Sequence, residues 1–324
     1  RRSTRVLLEW NGARLRAGWS SFNDPSRIDY LSGPVKSVGC EGNSMPLIKI
    51  KDLNFYYEFH GEGDPLVLVS GTGFSCEHWK VFQVSDLSKH FRVLIWDHRG
   101  TGRSDKPEVH YSTRMFAEDC ANLMKALNIG KAHIMGHSMG GRVAQWVAID
   151  HPGCVATLIL SGSGPGTSYD GQFYERGVPF DTVVELIEKG FEKYMRDHAA
   201  SEFMFPPEFA RKNPAVVKRF EESSLNQPTP MRPYLRHVIA RQGHETRHLL
   251  HKIRRPTLVI CGAGDRSEGG TGNHVLSSEV LAKGIEGSEF LTVEGGNHGY
   301  LRQMPEKANA LFVDFLKRHP IKAN

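Results

Sequence analysis

Residues 133–147 read HIMGHSMGGRVAQWV, and this stretch decides the fold. Its first part is a short apolar run, which is typical of a strand buried on both faces. Its last part carries apolar residues at helical spacing. A glycine-rich turn with Ser138 at its centre joins the two parts. The stretch therefore predicts a strand, a tight turn and a helix, in that order.

Ser138 stands in a G-x-S-x-G pattern, between Gly136 and Gly140. When such a pattern joins a strand to a helix, the serine occupies a strained turn at positive φ and its hydroxyl is exposed above the sheet. Side chains at positions 136 and 140 would collide across that turn, which explains the glycines. The N-terminus of the following helix favours negative charge that develops beside it. We therefore interpret Ser138 as a nucleophile.

A serine hydroxyl is a weak nucleophile unless a histidine, held by a carboxylate, takes its proton. In this architecture the order along the chain is serine, acid, histidine. Asp265 and His298 each follow a short apolar run, at the carboxyl end of a predicted strand. The other position for the acid, after the predicted strand Ala156–Leu160, contains no carboxylate. The sequence thus predicts a catalytic triad of Ser138, Asp265 and His298.

Acyl transfer also needs two N–H donors directed at the oxyanion. One predicted donor is the backbone N–H of Met139, next to the nucleophile. The other is predicted in the loop Ser70–Phe74, which reads SGTGF, with Thr72 as the first choice. A turn with no role in chemistry is the alternative for this loop, because glycine pairs after strands are common.

Strand and helix patterns alternate along most of the chain, after a predicted hairpin that begins at Leu47. This alternation predicts an α/β fold with an open, mostly parallel, doubly wound sheet and helices on both faces. Residues 163–254 break the alternation, since they carry helical patterns and no convincing strand. We predict that they form a helical lid insertion, here called the helical insertion, in a core made of residues 45–162 and 255–324.

Residues 1–44 are arginine-rich but contain no apolar run long enough for a signal peptide, and strand pattern begins directly after Met45. We expect them to be an N-terminal extension outside the fold, with Met45 as the natural start. A mitochondrial presequence is the alternative, because such segments are rich in arginine and poor in acidic residues.

The composition excludes several classes of function. A net charge of +5 with dispersed basic residues and no reading motif argues against nucleic-acid binding. No apolar run reaches the roughly 18 residues that a membrane span requires. Five scattered cysteines without CxxC spacing suit a reducing cytoplasm. Four histidines between His237 and His251 raise a metal hypothesis, but HExxH is absent and basic residues crowd the stretch, so we expect no metal.

Two motifs carry a resemblance to a known family. The strings G-H-S-M-G-G at 136–141 and D-x-R-G-x-G-x-S at 97–104 resemble those of 3-oxoadipate enol-lactonases, aminoacrylate-type hydrolases and small bacterial carboxylesterases. From about Met45 to Lys317 the chain therefore looks like a member of the α/β-hydrolase superfamily. The resemblance implies the roles given above for the three triad residues, and neither a metal nor an organic cofactor. Serine at position 138 argues against the dehalogenases and epoxide hydrolases of the superfamily, which carry aspartate there.

Two departures from the family pattern leave the substrate open. The usual His-Gly before the oxyanion loop is Ser70–Gly71, and the segment Arg266–Asn273 is long and glycine-rich. Small neutral esters or lactones are the expected substrates, because the helical insertion is rich in aromatic residues while Arg and Lys lie mostly outside the predicted site loops. A cofactor-free perhydrolase or haloperoxidase and a non-enzymatic receptor for a small ligand are the alternatives on the same fold.

Overall fold

A computed structural model of the chain describes residues 46–166, 180–266 and 273–322, with the backbone alone for 180–182. Residues 1–44 lie outside the described residues, so their interpretation as an extension stays a prediction. None of the helices in the described ranges is long and apolar enough to span a bilayer. The cysteines within these ranges, Cys76, Cys120, Cys154 and Cys261, are all free.

A single sheet of eight strands forms the centre of the described chain. The strands are β1 (Leu47–Ile50), β2 (Leu53–His60), β3 (Pro65–Val69), β4 (Arg92–Trp96), β5 (Ala132–His137), β6 (Val155–Ser161), β7 (Thr257–Gly262) and β8 (Glu289–Val293). Their spatial order is β1-β2-β4-β3-β5-β6-β7-β8. β1 pairs antiparallel with β2, and β2 pairs antiparallel with β4, whereas all other neighbours are parallel. The predicted doubly wound, mostly parallel sheet is confirmed.

Helices follow the strands on both faces of this sheet. They are α1 (Thr113–Ala126), α2 (Met139–Asp150), α3 (Phe180–Ala199), α4 (Pro207–Lys212), α5 (Pro214–Leu225), α6 (Met231–Gln242), α7 (His274–Gly284), α8 (Tyr300–Gln303) and α9 (Pro305–Lys317). Shorter helical turns are Glu77–Trp79, Lys80–Val84, Ser85–Leu87, Pro152–Cys154 and Arg247–Lys252. α1 begins at Thr113, where the Ser112 hydroxyl caps it by accepting a hydrogen bond from the Met115 N–H at 3.1 Å.

The core lies on both faces of the sheet. In β3, Val67 and Val69 pack with α1, α2 and α7, while Leu66 and Leu68 pack with the turns at 77–87 and with α8 and α9. Alternate residues of a strand point to opposite faces, so a strand covered on both sides must be apolar throughout. The unbroken apolar runs in the sequence have this cause.

Between β6 and β7 the described residues form α3 to α6 and contribute no strand to the sheet. The interpretation of residues 163–254 as a lid stays a prediction. The helical insertion has small apolar clusters of its own, one around Phe205 and Phe220 and another around Leu186 and Tyr234. Gly190 adopts a φ of 79° and interrupts the helical backbone of α3. The histidines that raised the metal hypothesis do not share a helical face, because α6 ends at Gln242.

Candidate active site

Ser138 lies at the junction of β5 and α2, with a φ of 57° and a ψ of −124°. A side chain added at Gly136 would come within 2.1 Å of the Gly140 carbonyl oxygen. One added at Gly140 would come within 2.0 Å of the Val69 carbonyl oxygen. Real side chains do not approach backbone that closely, so this turn requires both glycines. The left-handed backbone at a serine is the strained geometry that the motif predicts.

The Ser138 side chain is partly accessible, although the residues on either side of it are buried. Its backbone N–H donates to the Ser161 carbonyl at 2.8 Å, which ties the turn to the end of β6. Within the described residues its hydroxyl makes no hydrogen bond. The serine is therefore held by its backbone, and its Oγ is available to a ligand.

Asp265 and His298 lie in hydrogen-bond contact at the ends of β7 and β8. His298 Nδ1 is 2.8 Å from Asp265 Oδ2, and both side chains are buried. Burial alone would raise the pKa of Asp265, but the charges and hydrogen bonds of two neighbouring histidines hold that pKa well below its usual range. The carboxylate is therefore ionised at neutral pH, and His298 uses Nδ1 to bond it, which leaves Nε2 as the free ring nitrogen.

Burial lowers the pKa of His298 to about 4, and the charge of Asp265 offsets that effect only in part. The charge interaction with His274 lowers it further. At neutral pH the imidazole is uncharged and able to accept a proton. A neutral histidine beside an ionised carboxylate is the state in which a general base begins its work.

His274 is the second histidine on this carboxylate, and the sequence reasoning did not find it. Its Nδ1 lies 3.1 Å from Asp265 Oδ1, so the two oxygens of Asp265 each face a different imidazole. It is the first residue of α7, directly after Asn273, which caps the helix by accepting from the Leu276 N–H at 3.1 Å. The two histidine rings lie 4.5 Å apart. His274 thereby fixes the orientation of the acid that holds His298.

The rings of His137 and His298 connect the serine turn to the histidine loop. Their centroids are 4.7 Å apart, and a side chain at Gly162 would meet both rings at 3.2 Å. His137 directly precedes Ser138 in the chain. Its Nδ1 is bonded to the Ser161 hydroxyl at 2.9 Å, and burial lowers its pKa well below the ordinary value. This neutral ring packs the serine turn against the histidine loop.

The helical insertion contacts the histidine loop directly. The Phe203 carbonyl accepts from the His298 N–H at 3.1 Å, and the Met204 carbonyl accepts from the Gly299 N–H at 2.9 Å. The Phe203 ring stacks on the His298 imidazole at a centroid distance of 4.4 Å. Both the backbone and the ring of His298 therefore depend on this part of the insertion.

The loop Ser70–Phe74 lies beside the serine turn. A side chain added at Gly71 would lie 3.4 Å from Ser138 Cβ, so the backbone of this loop approaches the nucleophile closely. The Phe74 N–H donates to the Gly71 carbonyl at 3.3 Å, and the Gly73 N–H reaches His237 Nδ1 at 3.4 Å. Within the described residues the Thr72 N–H has no acceptor, as an oxyanion donor requires.

Two groups of side chains in the described ranges have ligand atoms close enough for a metal ion. One is Asp265, His274 and His298, and the other is formed by Glu58, Cys76 and Glu77. In the first group each imidazole already satisfies one carboxylate oxygen through an ordinary hydrogen bond. Hydrogen bonding alone therefore accounts for the orientation of His298 on Asp265.

A family model described as the alpha/beta hydrolase fold matches residues 64–299. The chain belongs to the α/β-hydrolase family. The match runs from just before β3 to the residue after His298. It therefore includes β3 to β8 and the loops that hold Ser138, Asp265 and His298. Relatives that align with this chain over nearly their whole length are named as hydrolases. This α/β-hydrolase is an enzyme of the same general class.

Curated relatives and solved structures agree with this placement. The RutD protein of Azorhizobium caulinodans, whose name describes a carbamate hydrolase, is 28% identical over 271 residues, covering 84% of this chain and 98% of that protein. The RutD protein of Caulobacter vibrioides is 30% identical over 268 residues, covering 81% and 95%. An enol-lactonase from Burkholderia xenovorans has a TM-score of 0.73 at 24% identity, covering 84% and 100%. At that identity the structural likeness shows the fold alone.

Proposed function

We propose that this α/β-hydrolase cleaves a small carboxylic ester or lactone through an acyl-serine intermediate on Ser138. The observation that carries the proposal is the hydrogen-bonded pair of Asp265 and His298. The His298 ring packs on the ring of His137, and His137 directly precedes Ser138 in its strained turn. Each of the three groups comes from a different strand end. A nucleophile, a base and a group that orients the base are the parts that acyl transfer requires.

In the proposed reaction Ser138 Oγ attacks the substrate carbonyl while His298 Nε2 takes its proton. The tetrahedral oxygen is held by the backbone N–H groups of Met139 and Thr72. His298 then gives the proton to the leaving alcohol, the bond between the carbonyl carbon and that alcohol breaks, and the acyl-serine remains. Water, deprotonated by the same histidine, hydrolyses the acyl-serine and restores the hydroxyl. The serine–histidine hydrogen bond is often loose without substrate, which fits a Ser138 hydroxyl that has no bonded partner here.

A carbamate is the second candidate substrate, because the relatives at 28% and 30% identity carry that substrate in their name. Its carbonyl is attacked in the same way, with an amine or an alcohol as leaving group. The site machinery is identical for both, so only a comparison of substrates distinguishes them. A perhydrolase would differ in its second step, where peroxide replaces water.

The test is covalent labelling combined with turnover. A fluorophosphonate probe should label the wild-type protein at Ser138, as peptide mass spectrometry can establish. Ser138→Ala should leave the melting temperature close to that of the wild type but reduce turnover of a short-chain para-nitrophenyl ester by about 10⁴ to 10⁶. The panel should include esters, lactones and an N-alkyl carbamate, each with and without peroxide.

Labelling at another residue, or turnover that survives in Ser138→Ala, would refute the acyl-serine mechanism. Carbamate turnover above that of every ester and lactone would make the second candidate the function. A protein that reacts with neither probe nor panel, yet binds a small ligand tightly, would be a receptor.

A further inference from the structure

Arg302 is a buried cation for which the described residues supply no counter-ion. Only 2% of its surface is exposed, and its Nε and Nη1 have no hydrogen-bond partner. Within the described ranges no carboxylate forms an ion pair with Arg302. In contrast, the exposed arginines Arg254 and Arg318 are each paired with a carboxylate. Charged side chains are almost never fully buried unless they are paired, because the desolvation cost is large. Among the described residues no anion is available to this guanidinium.

The guanidinium lies where the core meets the helical insertion. It stacks over the ring of Phe220 in α5 at 4.5 Å and lies 5.9 Å from the ring centre of Phe74. Phe74 belongs to the loop proposed to hold the oxyanion, and its ring contacts the position where a Gly71 side chain would lie, next to Ser138. The Phe74 ring is thus the group that lies near both the serine turn and the guanidinium.

The electrostatics of the site agree with this position. Burial lowers the pKa of Arg302 to about 9, so it stays charged at neutral pH. Its charge contributes to the lowered pKa values of His298, His137 and His78, after the larger effect of burial. These three histidines are neutral at pH 7, whereas Arg302 is charged.

We propose that Arg302 binds a carboxylate group of the substrate, so that this enzyme acts on anionic esters or lactones. This inference rests on the proposed function. The planar donors of a guanidinium match the two oxygens of a carboxylate, and such charged hydrogen bonds are the strong ones. One cation suits one negative charge, whereas a phosphate with nearly two charges would require a second cation. No other arginine or lysine contributes to the pKa of Arg302 within the described residues.

This proposal departs from the expectation of neutral substrates, which stays untested. That expectation assumed that basic residues lie outside the site loops, but Arg302 comes four residues after His298 and is directed inward. The helical insertion supplies one of the two rings near the guanidinium, Phe220, and the core loop supplies the other, Phe74. Aromatic rings favour a cation over their faces. The apolar surroundings therefore strengthen the interaction with an anion by excluding water.

Two pairs of matched substrates test the proposal. One pair is the mono-para-nitrophenyl ester of adipic acid and its terminal amide, which differ only in charge on the acyl side. The other is para-acetoxybenzoate and para-acetoxybenzamide, which differ on the alcohol side. Rates are corrected for the reactivity of each ester with hydroxide. The variants are Arg302→Met, which keeps the apolar stem, Arg302→Lys, which keeps the charge, and Arg219→Met, which removes an exposed arginine next to Phe220.

The wild type should prefer the carboxylate of at least one pair in kcat/KM. Arg302→Met should reduce kcat/KM for that carboxylate by about 10- to 100-fold, with a much smaller effect on the amide, and Arg302→Lys should fall between. Arg219→Met should match the wild type on both. Because Arg302→Met removes a charge near His298, the acid limb of its pH profile on the amide should also move to higher pH.

The inference would be overturned if the wild type had equal kcat/KM values for the carboxylate and the amide in both pairs. It would also be overturned if Arg302→Met reduced kcat/KM equally for the carboxylate and the amide. Either result would leave acyl-serine hydrolysis intact. Failure of the proposed function is a different result, in which no substrate turns over and the probe leaves Ser138 unlabelled. In that case adipate alone is the probe. A rise in melting temperature with adipate that Arg302→Met abolishes supports the anion site, and no rise refutes it. A melting curve without ligand checks that Arg302→Met folds, as expected when an apolar residue replaces an unpaired buried charge.

Discussion

The strand-end loops and the helical insertion both contact His298, but by different kinds of interaction. The loops supply a side-chain hydrogen bond from Asp265 and a serine turn fixed by backbone contacts at Gly136 and Gly140. The insertion supplies two carbonyl acceptors and a stacked ring, all from Phe203 and its neighbour. The first set holds the groups that are proposed to act as nucleophile and base. The second set positions one of those groups and excludes water from it.

This difference means that changes in the two regions should not cost the same. A lost proton-transfer partner removes a step of the reaction, whereas a lost packing contact changes how often the base is correctly oriented. Substitutions on each side of His298 measure this difference directly.

The largest expected effect in this comparison is that of Asp265→Asn on the core side. The amide keeps the shape of the side chain but does not stabilise a protonated His298, and it favours the wrong tautomer. We expect turnover of a neutral ester to fall by about 10⁴, by analogy with serine-protease triads. Thermal melting should show a folded protein. Near-normal turnover in a folded variant would mean that another carboxylate serves as the acid.

Sequence reasoning was informative where backbone geometry leaves a residue signature. The glycines around Ser138 are required by the close approach of neighbouring backbone, and the unbroken apolar runs are required by burial of the strands on both faces. Both features can be recognised directly in the amino-acid sequence. The order of the strand ends then favoured Asp265 and His298, which the structure brings into contact.

Other parts of the site depend on packing, which leaves a weaker signature. His274 was missed because α7 itself was missed, since its buried face contains Ser277 and Ser278 as well as apolar residues. The sequence feature that could have indicated it is a histidine directly after Asn273, the cap of the helix that follows the Asp265 loop. Arg302 was missed because nothing in one sequence tells whether an arginine in a short helix faces inward.

The second expected effect concerns the other histidine on Asp265. His274→Leu removes a hydrogen bond to Asp265 Oδ1, so the acid can rotate, and turnover should fall by about 10- to 100-fold. His274→Asn keeps an N–H donor near the position of Nδ1 and should restore most of that rate. Both variants remove an imidazole whose charge interaction lowers the pKa of His298.

The pH profile separates this positioning role from a merely structural one. His298 acts as a base when it is neutral, so kcat/KM in the wild type should be level above about pH 5 and fall below its pKa of about 4. In both His274 variants the fall should begin at higher pH, although only His274→Leu is slow at neutral pH. An unmoved acid limb, or equal rates in the two variants, would contradict the role assigned to His274.

The smallest expected effect is that of Phe203→Leu on the insertion side. The Phe203 carbonyl still accepts from the His298 N–H, so only the stacked ring is lost. An aromatic pair contributes about 0.5–1.5 kcal/mol beyond its buried area, which corresponds to a loss of about 2- to 13-fold in turnover. Phe209→Leu is the matched control, because Phe209 is also half-buried in the insertion and packs on Phe205 rather than on His298. Turnover should be lower in Phe203→Leu than in Phe209→Leu at equal melting temperature. A loss approaching that of Asp265→Asn would mean that the insertion does more than position the base, and that the division between the two regions is wrong.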